Sequence, residues 1–118
     1  MPWRVNSIAS AASCAALKDG VFLEETRSRI REWRQEMSLQ LEASGRLRAY
    51  PSSTNFLLLK ILDEGYDSGR LCDELGMREI LIRNCANFAG LDARFVRVSV
   101  QKPELNARLI EAMGEVWK

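Results

Sequence analysis

The sequence predicts an α+β sandwich. Three observations carry this. Two stretches of helical periodicity open the chain, and short apolar or alternating runs of strand length follow. One helical segment interrupts those runs and another closes the chain, giving the order α-α-β-α-β-β-α. A length of 118 residues suits one compact domain with a single core.

Val5, Ile8, Ala9, Ala12 and Ala16 recur at helical spacing, and their Ala-rich face suits close packing of a neighbour. Lys18-Asp19-Gly20 breaks this run, with Asp19 placed to cap the next helix. Phe22, Thr26, Ile30, Trp33, Met37 and Leu41 then repeat every three or four residues, predicting a helix of about six turns. Glu25 and Arg29 stand four apart on its outer face, and Gly45 suits its C-terminal stop.

Pro51-Ser52-Ser53-Thr54-Asn55 is turn chemistry. Residues 56–61, Phe-Leu-Leu-Leu-Lys-Ile, form an apolar run of strand length expected at the centre of a sheet. Lys60 reads there as a strand-end or edge charge. Residues 63–68 read as a loop, and a short helix fits residues 69–75, with Leu71, Cys72 and Leu75 inward and Gly76 ending it. Ile80-Leu81-Ile82-Arg83 predicts a second strand, followed by a loop of small and amide residues over 84–93. Residues 95–100 alternate: Val96, Val98 and Val100 face one way, Phe95, Arg97 and Ser99 the other. Pro103-Glu104 opens the last helix, whose apolar stripe is Leu105, Leu109, Ala112, Met113 and Val116.

Composition removes several function classes. Seventeen basic and sixteen acidic residues leave a net charge of +1, which offers no general field for nucleic acid or an anionic membrane. No apolar run reaches membrane-span length, and the N-terminus lacks signal-peptide character. Three widely spaced cysteines (Cys14, Cys72, Cys85), no CxxC and no histidine argue against a zinc or iron–sulfur site and suit reduced thiols in the cytoplasm. Without histidine, a nucleophile–base pair or a Gly-rich phosphate loop, catalysis by this chain alone is not expected, and no residue is assigned a catalytic role. Thirteen of the basic residues are Arg, the side chain suited to bidentate recognition of carboxylate and phosphate.

The candidate site lies within residues 80–100. Arg83 ends a strand and enters a loop. Arg97 sits mid-strand opposite the valine face, so it either pairs across the sheet with a carboxylate or is aimed at an anion. Asn84, Asn87 and Gly90 lie between the two, as turn formers or as neutral donors beside a charged ligand. Cys85, in the same loop, reads as a buried inert thiol.

In order along the chain stand Pro2-Trp3-Arg4-Val5-Asn6, Pro51-Ser-Ser-Thr-Asn55-Phe56-Leu57, Ile80-Leu-Ile-Arg83-Asn-Cys-Ala-Asn87-Phe88-Ala-Gly90-Leu91 and Arg94-Phe-Val-Arg97-Val98. Over nearly its whole length the chain resembles the C-terminal third of fold-type I pyridoxal-phosphate (PLP) enzymes, the class I/II aminotransferases. Within them it is most similar to threonine-phosphate decarboxylases of cobalamin biosynthesis and to histidinol-phosphate aminotransferases. The specific part is the Ile-Arg-x-Cys-x-Asn-Phe-x-Gly-Leu stretch.

The resemblance implies a small two-layer sandwich, its three- or four-stranded, mainly antiparallel sheet packed on helices. It implies that residues 1–45 are connecting helices from a missing large domain and residues 46–118 the small domain. It implies that Arg97 grips the substrate α-carboxylate and Arg83 a substrate phosphate. Asn6, Asn55 and Asn87 are possible further substrate contacts. PLP belongs to the full-length enzyme, which would be a cytoplasmic homodimer acting on a small amino-acid substrate, with no nucleic-acid or membrane partner. The family's Schiff-base lysine and pyridine-nitrogen aspartate lie upstream of the Pro-Trp-x-Val-Asn motif at which this chain begins. The chain alone is therefore expected to bind no cofactor and to be inactive, and Met1 reads as an expression start at a domain boundary. The same arginines serve decarboxylation or amino transfer, so they do not choose the reaction.

Two other classes stay open from the residues alone. One is a freestanding module of ferredoxin-like type for a small ligand or RNA. An RNA-binding sheet expects paired aromatics on adjacent strands, and only Phe95 fits that in part. The other is an interaction domain that dimerises through its opening helices.

Overall fold

The computed structural model describes residues 5–118. Helices α1 (Ser7–Lys18) and α2 (Gly20–Glu42) are followed by strands β1 (Leu47–Ala49) and β2 (Phe56–Ile61). Helix α3 (Ser68–Gly76), strands β3 (Arg83–Asn84) and β4 (Phe95–Ser99), and helix α4 (Pro103–Val116) complete the chain. The strands form one sheet in the order β1-β2-β4-β3, antiparallel throughout. The α+β class and the central position of residues 56–61 are as the sequence implies, and the antiparallel sheet is as the resemblance implies.

Capping fixes the helix starts. The Asn6 Oδ1 accepts the Ala9 N–H at 2.8 Å and the Asp19 Oδ1 accepts the Phe22 N–H at 3.0 Å, each satisfying an orphan donor of a first turn. Asp67 does the same for α3 through the Arg70 N–H, a cap the sequence reading missed. Gly45 reverses the chain after α2 at a φ of 67°, the left-handed conformation in which a side chain is strained.

One apolar layer joins the sheet to α2, α3 and α4. Leu57, Leu59 and Ile61 of β2 and Val96 and Val98 of β4 meet Met37 and Leu41 of α2, Leu71 and Leu75 of α3, and Leu109 and Met113 of α4. The second half of α2 thus shares its core with the sheet. In contrast, α1 buries no residue, and Ile8, Leu17, Val21 and Phe22 are exposed. Asn106, buried at the start of α4, accepts the Gln101 N–H and donates to the Gln101 carbonyl, both at 2.9 Å, which ties the end of β4 to the helix.

Three sequence expectations change. Residues 47–49 form a strand that the sequence reading does not assign. Its signal was the Leu47-Arg48-Ala49 alternation, too short to stand above background. The strand expected over residues 80–83 reduces to Arg83–Asn84. The chain leaves α3 through a left-handed residue, Glu79 at φ 60°, and meets the sheet edge only at Arg83. A groove of about 230 Å³ separates residues 80–82 from Val98 and Ser99, leaving Leu81 in solvent. Leu105, assigned to the inward stripe of the last helix, is half exposed, because it lies in the first turn beside this groove.

A polar cluster fastens α3 to the end of α4. The Tyr66 hydroxyl donates to the Val116 carbonyl at 2.8 Å and lies 3.2 Å from both Glu74 oxygens. Arg70 covers the Tyr66 ring at 4.0 Å and donates from Nε to Glu74 at 2.8 Å. The hydrogen bond from Arg70 draws the Glu74 carboxyl below the usual carboxylate range. A depressed folded pKa gives stability that is present above the unfolded value, about 4.3 for glutamate, and is lost as pH falls through the folded value. The urea midpoint of the wild type should therefore fall between about pH 5 and about pH 3 more steeply than that of Glu74→Gln. Parallel slopes would show that the cluster carries no acid-sensitive stability.

Candidate anion-binding site

The faces of the sheet are unlike. The four strands contain no Asp or Glu, and their charged residues are Arg48, Lys60, Arg83 and Arg97. Register puts all four on the face away from the helices. Arg48 pairs with Lys60, Lys60 with Phe95, and Arg97 with both Leu58 and Arg83. Directly paired residues of antiparallel strands project to the same side, as do residues two apart on one strand. Lys60 stands at the end of a central strand and not at the sheet edge, so of the two readings the strand-end one holds: it is the penultimate residue of β2, which is flanked by β1 and β4.

Arg83 and Arg97 face each other directly across β3 and β4. Like charges so placed destabilise a sheet unless something neutralises them. No ion pair among the described residues uses either guanidinium. Each sits over an aromatic ring instead. The Arg97 guanidinium carbon is 4.2 Å from the centroid of Phe56, and that of Arg83 is 5.3 Å from the centroid of Phe88. Lys60 lies over Phe95 and Arg48 over Tyr50, each at 5.7 Å. An aromatic face attracts a cation through its quadrupole but leaves the in-plane N–H edge of a guanidinium free. Two such edges on one acid-free face form a candidate site for carboxylate or phosphate.

The loop between β3 and β4 brings Phe88 to Arg83. The Cys85 N–H donates to the Phe95 carbonyl at 3.1 Å, the Phe88 N–H to the Cys85 carbonyl and the Leu91 N–H to the Phe88 carbonyl, both at 3.0 Å. Gly90, at φ 82°, turns the chain back toward β4. Asn84 is structural: its Oδ1 accepts from the Ser68 hydroxyl and the Ala86 N–H, both at 2.9 Å. Asn87 is exposed on this loop.

Asn6 and Asn55 make local structural bonds. Asn6 caps α1. The Asn55 carbonyl accepts the Val100 N–H at 2.8 Å, the strand-entry role that its turn setting favours. The preceding turn is closed by the Ser52 hydroxyl, which donates to the Phe56 carbonyl at 2.6 Å. Pro2, Trp3 and Arg4 of the opening motif lie outside the described residues.

Sequence reasoning missed Phe56 and Phe88 as partners of the arginines. Both had been read only as members of an apolar run and a loop motif. Phe56 and Phe95 do lie on adjacent strands and share a face, which the sequence reading of an RNA-type platform did not find. Each ring has a cation over it, Arg97 over Phe56 and Lys60 over Phe95.

Cys85 is fully buried beneath this region, and burial pushes its thiol up, against the opposing pull of Arg97 and Arg83. Burial also raises the Cys72 thiol, whereas Cys14 is exposed on α1. A disulfide reagent at neutral pH should label Cys14 rapidly and the other two only on unfolding, as counted by chromophore release with and without urea. Rapid labelling of Cys85 would show that the loop opens readily. Among the described residues no cluster of His, Cys, Asp and Glu is arranged to hold a metal, and no helix is long and apolar enough to cross a membrane.

With this geometry, known proteins are informative. The family model for aminotransferase class I and II matches residues 1–113. The chain is 37% identical over 116 residues to threonine-phosphate decarboxylase of Salmonella typhimurium, covering 98% of this chain and 31% of that protein. It is 33% identical to the adenosylcobalamin biosynthesis bifunctional protein of Leptospira interrogans, covering 98% of this chain and 13% of that one. Among solved structures, histidinol-phosphate aminotransferase from Clostridium acetobutylicum superposes with a TM-score of 0.85 at 32% identity, covering 98% of this chain and 34% of that one. The chain thus spans about a third or less of the relatives it matches. A match over nearly all of its residues, carried equally by sequence and fold, establishes that the chain belongs to the aminotransferase class I and II family.

Proposed function

We propose that this chain is the substrate-binding small domain of a PLP-dependent enzyme whose substrate carries an α-carboxylate and a phosphate. The preferred reaction is threonine-phosphate decarboxylation. The observation that carries the reading is the Arg83–Arg97 pair, two directly paired strand residues on a sheet face whose strands hold no acid, neither of them in an ion pair among the described residues. Arg97, half-buried and held by Phe56, is the grip for the α-carboxylate, and the more exposed Arg83 is the grip for the phosphate. The likeness to threonine-phosphate decarboxylase supports the same assignment. The likeness to a histidinol-phosphate aminotransferase structure supports the alternative, amino transfer from another phosphorylated substrate.

PLP would supply the electron sink for either reaction, but the residues described here do not fit the cofactor. Lys60 is stacked on Phe95 within the sheet, and Lys18, Lys102 and Lys118 lie at or beyond helix ends. None stands beside an acidic residue of the sheet that could pair with a pyridine nitrogen, because the strands contain none. In this reading PLP is held by a separate N-terminal domain, residues 1–45 connect to it, residues 46–118 are the small domain, and the complete enzyme is a homodimer. The exposed apolar residues of α1 and of the start of α2 suit such a junction.

An assay of the full-length enzyme carrying this domain tests the proposal. CO2 release from threonine phosphate, without amino transfer, supports the decarboxylase. Amino transfer from histidinol phosphate, which carries a phosphate but no carboxylate, supports the alternative and overturns the α-carboxylate role of Arg97 toward that substrate, and inactivity on both overturns the phosphate-substrate reading.

A further inference from the structure

The two arginines share a register position, yet different rings hold their guanidinium groups. Arg97 reaches diagonally across the sheet to Phe56 on β2, at 4.2 Å. Arg83 lies over Phe88, in the loop that leaves β3, at 5.3 Å. Without those rings, two cations on directly opposed residues would spread into solvent along whatever rotamers relieve their repulsion. With them, each guanidinium is drawn to an aromatic ring, which limits its rotamers and, having no acceptor oxygen, leaves its N–H donors for a ligand.

We propose that Phe56 and Phe88 are specificity-determining residues. They hold the two grips at a fixed separation, so that one ligand bearing both a carboxylate and a phosphate is preferred over any ligand bearing a single anionic group. This rests on the reading of Arg83 and Arg97 as anion grips. The preference comes from preorganisation. A ligand with two linked anions engages the second grip at high effective concentration, provided that grip is already held where the ligand can reach it. A leucine at either position retains apolar volume but loses the flat quadrupolar face, so the arginine regains its freedom while its charge stays. The aromatic seats therefore act on the linked ligand far more than on either anion alone.

The test uses this chain, with arginine side-chain N–H resonances followed during titration with acetate, inorganic phosphate and O-phospho-L-threonine. The wild type should saturate with O-phosphothreonine at about one-tenth of the concentration needed for either simple anion. Phe56→Leu and Phe88→Leu should each shrink that advantage to about threefold or less, while acetate and phosphate binding change little. Phe56→Tyr and Phe88→Tyr, which keep the ring, should restore it. A tenfold advantage that survives in both leucine variants overturns the proposal. Should Phe56→Leu lose its dispersed spectrum, the Phe88 pair of variants decides alone, since that ring sits in a surface loop. A wild type that shows no saturation, or an Arg97→Gln variant that binds all three ligands as well as the wild type, instead overturns the underlying anion-site reading, whatever the phenylalanine variants do.

Discussion

On the proposed function, replacing Arg97 by Lys should raise the KM of the full-length enzyme for its amino-acid substrate by about 100-fold, with the fold unchanged. A bidentate guanidinium–carboxylate pair makes two charge-assisted hydrogen bonds worth roughly 1.5–3 kcal/mol each, and lysine keeps the charge but makes at most one directed contact in their place. A net loss of about 3 kcal/mol corresponds to about two orders of magnitude in binding. The ammonium also forfeits the contact of the planar guanidinium with the Phe56 ring. Steady-state kinetics measures the effect, with circular dichroism as the control for fold. Since Arg97 pairs with no carboxylate among the described residues and lysine keeps its charge opposite Arg83, the replacement should leave thermal stability nearly unchanged. A KM within threefold of wild type would show that Arg97 does not hold the substrate.

Leu59→Ala should produce the largest loss of stability. Leu59 is fully buried in the central strand, paired with Ala49 on one side and Val96 on the other, and its side chain meets the helical layer. Truncation removes its transfer free energy and leaves a cavity that flanking strands on both sides prevent from collapsing, at a cost of about 3 kcal/mol within a usual range of about 2–5. For a domain of this size that lowers Tm by about 10 °C. Leu59→Met conserves volume and should cost less than about 1.5 kcal/mol. Thermal melts of the three proteins check the ordering, and a Leu59→Ala melt within about 2 °C of wild type would mean that the site repacks.

Helix α2, the central strand and the alternation of β4 were legible because each rests on a local period. The spacing from Phe22 to Leu41 marks a helix, and the three valines at 96, 98 and 100 mark one buried face. The capping role of Asp19 was legible for the same reason: it depends on residues three apart. What misled was apolarity without context. Ile80, Leu81 and Ile82 have the composition of a buried strand, but the left-handed turn at Glu79 delivers them beside the sheet and not into it. Leu105 has the right spacing for the inward stripe and the wrong position, in the first turn of α4 beside that groove. The Leu47-Arg48-Ala49 strand carries too few residues to register as a pattern.

For the site, the sequence alone determined the kinds of group available and their direction. Arg97 had to leave the sheet opposite the valines, because neighbouring side chains on a strand alternate. Only the tertiary structure decided the neighbours. That Arg83 stands opposite Arg97, and that Phe56 rather than a carboxylate lies beneath the latter, follow from the register of β4 between β2 and β3. Register is set by long-range burial of one face against α2, α3 and α4, a property of the whole core that no local stretch of sequence encodes.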